Sequence, residues 1–189
     1  NPRRKFFDIN KIATLDFEMV DVERYITRTL VQERRKVRML PVMSSRGCPH
    51  RCTFCFHTTT GDRPYRTQEA QNTINEVKRL KQRYNLDAVK FAEDNFFVVR
   101  KRVKDICEGI KDLNIKWVSE CRADYFREGH VDDELLKLMK ESGCAGFTVG
   151  AESGSPKILK MFKKDVTPEK ISYAIERCYE YGFVPSVSF

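Results

Sequence analysis

From about residue 37 the chain alternates short apolar runs with longer stretches in which apolar residues recur every three or four positions. The runs VRMLPVMS (37–44), DAVKFAE (87–93), IKWVSEC (115–121), GFTVGAE (146–152) and FVPSVSF (183–189) have the length and the branched or aromatic content of strands. Helical periodicity fills the gaps at about 67–84, 99–113, 131–142 and 167–181. The helix starts carry their own signals. Thr67, with Ala70 and Ile74 beyond it, is expected to open the first helix. Thr167 followed by Pro168 and Glu169 is a stronger start, with proline at the first helical position. Ser155-Pro156 predicts a short helix over 156–163, and Tyr181-Gly182 predicts a stop with glycine just past the helix end.

Strand–helix alternation points to parallel βαβ units. Five strands with four crossovers are too few for an eight-stranded barrel. The expected fold is α/β, an open partial (βα)6-type barrel that stops after about its fifth strand. Residues 1–36 differ: they show one helical stretch and no strand alternation of their own, and read as a lead-in segment before a core at 37–189. The chain opens on NPRRK rather than Met and stops inside a strand pattern, which predicts an internal piece of a longer protein with a further domain upstream.

Composition narrows the classes. Of the 189 residues, 41% are apolar and 33% charged, without a long unbroken apolar run, so no membrane span is expected. The net charge of +8 favours anions. The basic residues are scattered except for ERRKVR (33–38), which reads as a solvated face, so a nucleic-acid surface is not expected. Seven cysteines, an odd number, argue against a disulfide framework and for a reducing, cytoplasmic setting. Cys107, Cys121, Cys144 and Cys178 are scattered and read as core residues.

The other three lie in SRGCPHRCTFC (45–55), spaced Cys-x3-Cys-x2-Cys at Cys48, Cys52 and Cys55. Thiolates are soft ligands that suit zinc, copper(I) and iron–sulfur clusters. Three of them leave one iron of a 4Fe–4S cluster without a protein ligand, open to a substrate or cofactor. Gly47 and Pro49 favour a tight wrap, and Phe54 is placed to shield one side of the cluster. Two alternatives stand beside this: zinc held by the three cysteines with His57, and a purely structural cluster loop. His50 reads as a loop residue.

Other candidates sit where predicted strands end, which is where sites gather in parallel barrels. Glu93 and Asp94 close the second strand in FAEDNF. With period 2, Glu93 shares a face with Val89 and Phe91, and would lie at the barrel mouth if that face points inward. Arg122 ends the third strand in SECRADY and has the fork geometry for a carboxylate, with Asp124 to orient it. Glu152 and Ser153 end the fourth in VGAESGS. There Gly146, Thr148 and Gly150 would line the inner face and Phe147, Val149 and Ala151 would pack outward on helices. Tyr65, Phe96, Phe97 and Trp117 read as packing residues.

A Cys-x3-Cys-x2-Cys loop with an aromatic before its last cysteine, placed after a first strand, resembles the radical SAM superfamily over about 37–189. The resemblance implies a 4Fe–4S cluster on Cys48, Cys52 and Cys55 whose open iron binds S-adenosylmethionine. One electron, from a donor such as flavodoxin or ferredoxin, then cleaves the cofactor to a 5′-deoxyadenosyl radical. By the same resemblance Glu93 would hold the cofactor's ammonium group, Arg122 its carboxylate, and Glu152 its ribose hydroxyls with help from Ser153. LDFEMVDVERYI (15–26) and GAESGS…KMFKK resemble the cobalamin-linked branch, which implies methyl transfer or cyclisation on a small molecule, with cobalamin bound mainly by an upstream domain. A tRNA methylthiotransferase and a non-enzymatic zinc or cluster module that binds nucleic acid are the alternatives.

Overall fold

The computed structural model describes residues 6–12, 15, 17–30, 33–56 and 64–189. Among them the chain runs through α1 (Glu23–Ile26), β1 (Thr27–Leu30), β2 (Arg35–Val42), β3 (Ser45–Arg46) and β4 (Arg66–Thr67). It continues through α2 (Ala70–Tyr84), β5 (Ala88–Phe91), α3 (Arg100–Ile110), β6 (Lys116–Arg122) and α4 (Asp133–Glu141). β7 (Cys144–Gly150), α5 (Pro156–Met161), α6 (Pro168–Glu180) and β8 (Ser186–Ser188) complete it. The main sheet has the order β1-β2-β5-β6-β7-β8 and curls into an open half-barrel. Every pairing from β2 to β8 is parallel and joins strands in chain order, as the βαβ alternation requires.

All five expected strands and the helices between them are present. The lead-in adds one more strand. β1 pairs antiparallel with β2, Thr27 opposite Arg38 and Leu30 opposite Arg35. It buries only Leu30, which is why no alternation marks it in the sequence. Thr67 does not open α2; it lies in β4, paired with Ser45. Asn10 from the lead-in serves instead, its Oδ1 accepting from the Glu69 N–H (2.8 Å) and from Asn72 Nδ2 (3.3 Å).

The other boundary signals hold. Thr167 Oγ1 accepts from the Lys170 N–H at 3.4 Å, with Pro168 as the first residue of α6. Losing that oxygen in Thr167→Ala is expected to lower stability by about 1 kcal/mol, read from the midpoint of urea unfolding. Gly182 takes φ +70° just past α6, and the Phe183 N–H reaches back to the Cys178 carbonyl (2.8 Å).

The two faces of the sheet are unequal. Val89 and Phe91 of β5, Trp117 and Cys121 of β6, and Phe147 and Val149 of β7 join Val77, Ile106, Leu136 and Cys178 of the helices in one buried core. The opposite, concave face carries a small cluster of Leu30, Val37, Met39 and Ala88. Beyond it that face is polar, with a Lys90–Glu120 ion pair (3.2 Å) and with Thr148 and Ser186 paired in adjacent strands. In β5, β6 and β7 the large apolar residues therefore mark the helix side, whereas β2 is apolar on both faces.

Candidate functional site

The cysteine loop leaves the carboxyl end of β2 and is closed at its base by the β3–β4 ladder. Gly47 turns the chain with φ +83°, and a Cβ there would lie 2.7 Å from the Pro64 carbonyl oxygen, so the position requires glycine. Backbone bonds then dock the loop. The Gly47 N–H donates to Asp94 Oδ2 (2.7 Å), and the Thr53 N–H and Oγ1 donate to the Phe162 (2.8 Å) and Met161 (3.2 Å) carbonyls at the end of α5. Phe54 is half-exposed, its ring 5.0 Å from that of Phe162.

Two sulfurs receive side-chain N–H donors from strand ends. Asn95 Nδ2 donates to Cys48 Sγ at 3.5 Å and Arg122 Nη1 to Cys52 Sγ at 3.4 Å. Arg122 is buried and its fork is shared out: Nε donates to Asp124 Oδ1 (2.8 Å) and Nη2 to the Lys164 carbonyl. Burial acts against the Arg122 charge, but Asp124 and Cys52 outweigh it and raise its pKa further. Arg122 thus faces the cysteine loop, and Asp124 orients it as the sequence suggests.

Glu93 lies elsewhere than the barrel mouth. Val89 and Phe91 pack on the helices, so the same parity turns Glu93 toward α3. Its side chain is fully buried; Oε1 accepts from the Ser44 N–H (2.8 Å) and hydroxyl and Oε2 from the Ser45 hydroxyl, with Arg102 Nη2 4.0 Å away. The carboxylate ties the start of the cysteine loop to α3.

Glu152 does lie on the concave side, two residues past Gly150, which pairs with Arg122 and Ser188 in one row across the sheet. Its backbone is left-handed (φ +64°) and its N–H donates to the Ser188 carbonyl (2.9 Å). Oε1 accepts from Lys164 Nζ at 2.8 Å. Ser153 Oγ accepts from the Ser155 N–H (3.0 Å) and shapes the turn.

Lys164 was not singled out by sequence reasoning, although it stands in KMFKK. It is 5% exposed, between Lys163 and Asp165, which both have positive φ. Non-glycine residues hold such backbones only where the surroundings enforce them. Lys164 joins three parts of the site: Glu152 through Nζ, Arg122 through its carbonyl, and the Phe54 ring, 5.7 Å from Nζ. Asn95 and Tyr125, both 5% exposed, were also missed. Phe96, Phe97 and Trp117 are core residues.

Among the described residues no three His, Cys, Asp or Glu side chains surround one point closely enough to hold a single metal ion. In a 4Fe–4S cluster each thiolate binds a different iron. His57, the proposed fourth zinc ligand, lies outside the described residues. Three thiols in one short loop, two of them receiving N–H donors, fit a thiolate-held cluster. No helix among the described residues is long and apolar enough to cross a membrane.

Known proteins resemble this chain in sequence and in fold. The chain is 29% identical, over its whole length, to an uncharacterized methyltransferase of Pyrococcus horikoshii, covering 39% of it. It is 30% identical over 77% of its length to the cytidylyl-2-hydroxyethylphosphonate methyltransferase of Streptomyces wedmorensis, covering 27% of that protein. The chain therefore spans well under half of either relative. Among solved structures, the cobalamin-dependent S-adenosylmethionine radical enzyme OxsB superposes over 79% of this chain and 23% of its own, with TM-score 0.68 at 24% identity. The radical S-adenosylmethionine methyltransferase TsrM of Kitasatospora setae superposes over 79% of this chain and 30% of its own, with TM-score 0.69 at 19% identity, a likeness of fold. The sequence profile of the radical SAM superfamily matches residues 42–189, from the last residue of β2 through the cysteine loop and every strand end described above, and the chain belongs to that superfamily.

Proposed function

We propose that this chain is the core of a cobalamin-dependent radical SAM enzyme that transfers a methyl group to, or closes a ring in, a small molecule. The observation that carries the reading is the cysteine loop, fixed at the carboxyl end of the sheet with N–H groups of Asn95 and Arg122 aimed at two of its sulfurs. Named methyltransferases and a magnesium-protoporphyrin IX monomethyl ester cyclase among the relatives support the reaction class. Cys48, Cys52 and Cys55 hold the cluster in this proposal, and Phe54 limits water on one side. A cluster bound there supplies the single electron that cleaves S-adenosylmethionine, with flavodoxin or ferredoxin as its donor.

The residues of the chain bind and orient. Glu152 faces the concave side and accepts hydrogen bonds from the ribose hydroxyls, with Lys164 holding its carboxylate in place. Ser153 keeps the turn that presents Glu152. Arg122 braces the cysteine loop and offers positive charge toward the cofactor carboxylate. Glu93 acts on the cofactor through the loop it anchors. Cobalamin is bound mainly outside residues 37–189.

The test is low-temperature electron paramagnetic resonance of the full-length protein, reconstituted anaerobically with iron and sulfide and reduced, with and without S-adenosylmethionine. A cluster signal that changes on adding the cofactor is expected. In Glu152→Ala the iron content should persist, while the cofactor concentration needed for the change should rise about tenfold, as for the loss of one or two hydrogen bonds to a bound ligand. A signal indifferent to the cofactor overturns the reading.

A further inference from the structure

The environment of Cys48 contains a relay that the reaction assigned above does not use. Asn95 Nδ2 carries two N–H bonds. One points to Cys48 Sγ (3.5 Å) and the other to Tyr125 Oη (2.9 Å). Tyr125 Oη is also 2.7 Å from His50 Nε2. Oη thus accepts from Asn95 and shares a second hydrogen bond with His50, whose direction follows the imidazole tautomer. The Tyr125 ring is held in turn: His130 stacks on it, centroids 4.5 Å apart, and His130 Nε2 is 2.6 Å from the Phe97 carbonyl oxygen. Asn95 and Tyr125 are buried.

An amide that could rotate freely would offer sulfur an N–H only part of the time. Anchoring one N–H on Tyr125 fixes the direction of the other. A hydrogen bond to a ligating sulfur withdraws electron density from it and stabilises the more negative, reduced form of a cluster. We propose that Tyr125 is a positioning residue that, acting through Asn95, holds a neutral N–H···S bond on Cys48 and raises the reduction potential of the cluster bound there. This rests on the proposed function, since it presumes a cluster on Cys48.

The experiment is a dithionite titration with mediator dyes, followed by electron paramagnetic resonance, on full-length wild type, Tyr125→Phe and Asn95→Leu, with iron counted in each. Tyr125→Phe removes one oxygen and leaves the ring packing; Asn95→Leu removes the donor at similar size. Both variants are expected to keep the wild-type iron content and to show midpoints displaced to more negative values, further in Asn95→Leu. A packing role alone leaves the midpoint unmoved. Full iron with wild-type midpoints overturns the relay. If Asn95→Leu loses its iron, Tyr125→Phe decides on the same criterion, and loss of iron there as well overturns the proposal in favour of a purely structural role. A wild type that assembles no cluster overturns the relay and the proposed function together, whereas unchanged midpoints overturn the relay alone.

Discussion

Replacing Cys48, Cys52 or Cys55 by alanine, one at a time, is expected to leave the protein without its iron–sulfur cluster and without S-adenosylmethionine cleavage. Each thiolate would bind a different iron, so no remaining side chain takes over a lost corner. Partners that merely support a metal ligand cost about 10–100-fold in metal affinity when removed, and a direct ligand costs more. The other four cysteines provide the control. Burial pushes the thiols of Cys107 and Cys178 up to about 12, and raises those of Cys121 and Cys144 well above the usual range. They stay protonated and are poor ligands. All four line the helix-side core, so alanine there lowers stability and leaves iron binding intact. The measurement is iron and acid-labile sulfide per chain after anaerobic reconstitution, with the charge-transfer absorbance as a second readout. A triple Cys48/Cys52/Cys55→Ala protein with wild-type iron, or a Cys107→Ala protein with none, sinks the assignment.

What the sequence disclosed follows from which signals are local. Strand and helix alternate legibly because a parallel sheet covered by helices makes each strand an apolar run and each helix a periodic one. The Thr167-Pro168 start and the Gly182 stop act within a few residues and are legible too. The start of α2 is not, because its partner, Asn10, comes from the lead-in. β1 is hidden because an edge strand with one buried residue has no alternation to show. The site divides the same way. Cysteine spacing and strand-end position mark the residues that meet. Alternation cannot say which face of an unclosed sheet is wet. At β7 the apolar positions are correctly expected on the helices, whereas Glu93, on the apolar parity of β5, is conditionally placed inside. Treating β5 as β7 is treated would have turned it toward α3. Asn95, Tyr125 and Lys164 have no local signature; only contacts across the fold single them out.

Glu93→Ala is expected to cost about 3–5 kcal/mol of folding stability, the range for removing one partner of a buried ion pair. The Glu93 side chain is completely buried and Arg102 nearly so, with 4.0 Å between Nη2 and Oε1. Arg102 keeps the Gln68 (3.0 Å) and Ser44 (3.2 Å) carbonyls as acceptors, but these satisfy donors and do not neutralise a charge. The Ser44 N–H and the Ser45 hydroxyl would also lose the oxygens that receive them. Glu93→Gln keeps the shape and one acceptor, so its loss should be smaller. The double variant Glu93→Leu/Arg102→Met should recover much of the single variant's loss, because an apolar pair does not require a buried charge to be matched. Urea unfolding of the full-length protein measures all three, with cofactor affinity measured in parallel. Because Glu93 anchors the residues that lead into Cys48, the alanine variant should also assemble less cluster. The opposite pattern, wild-type stability and cluster content with weakened S-adenosylmethionine binding alone, would show that this carboxylate turns to the cofactor and that the bonds to Ser44, Ser45 and Arg102 yield when it does.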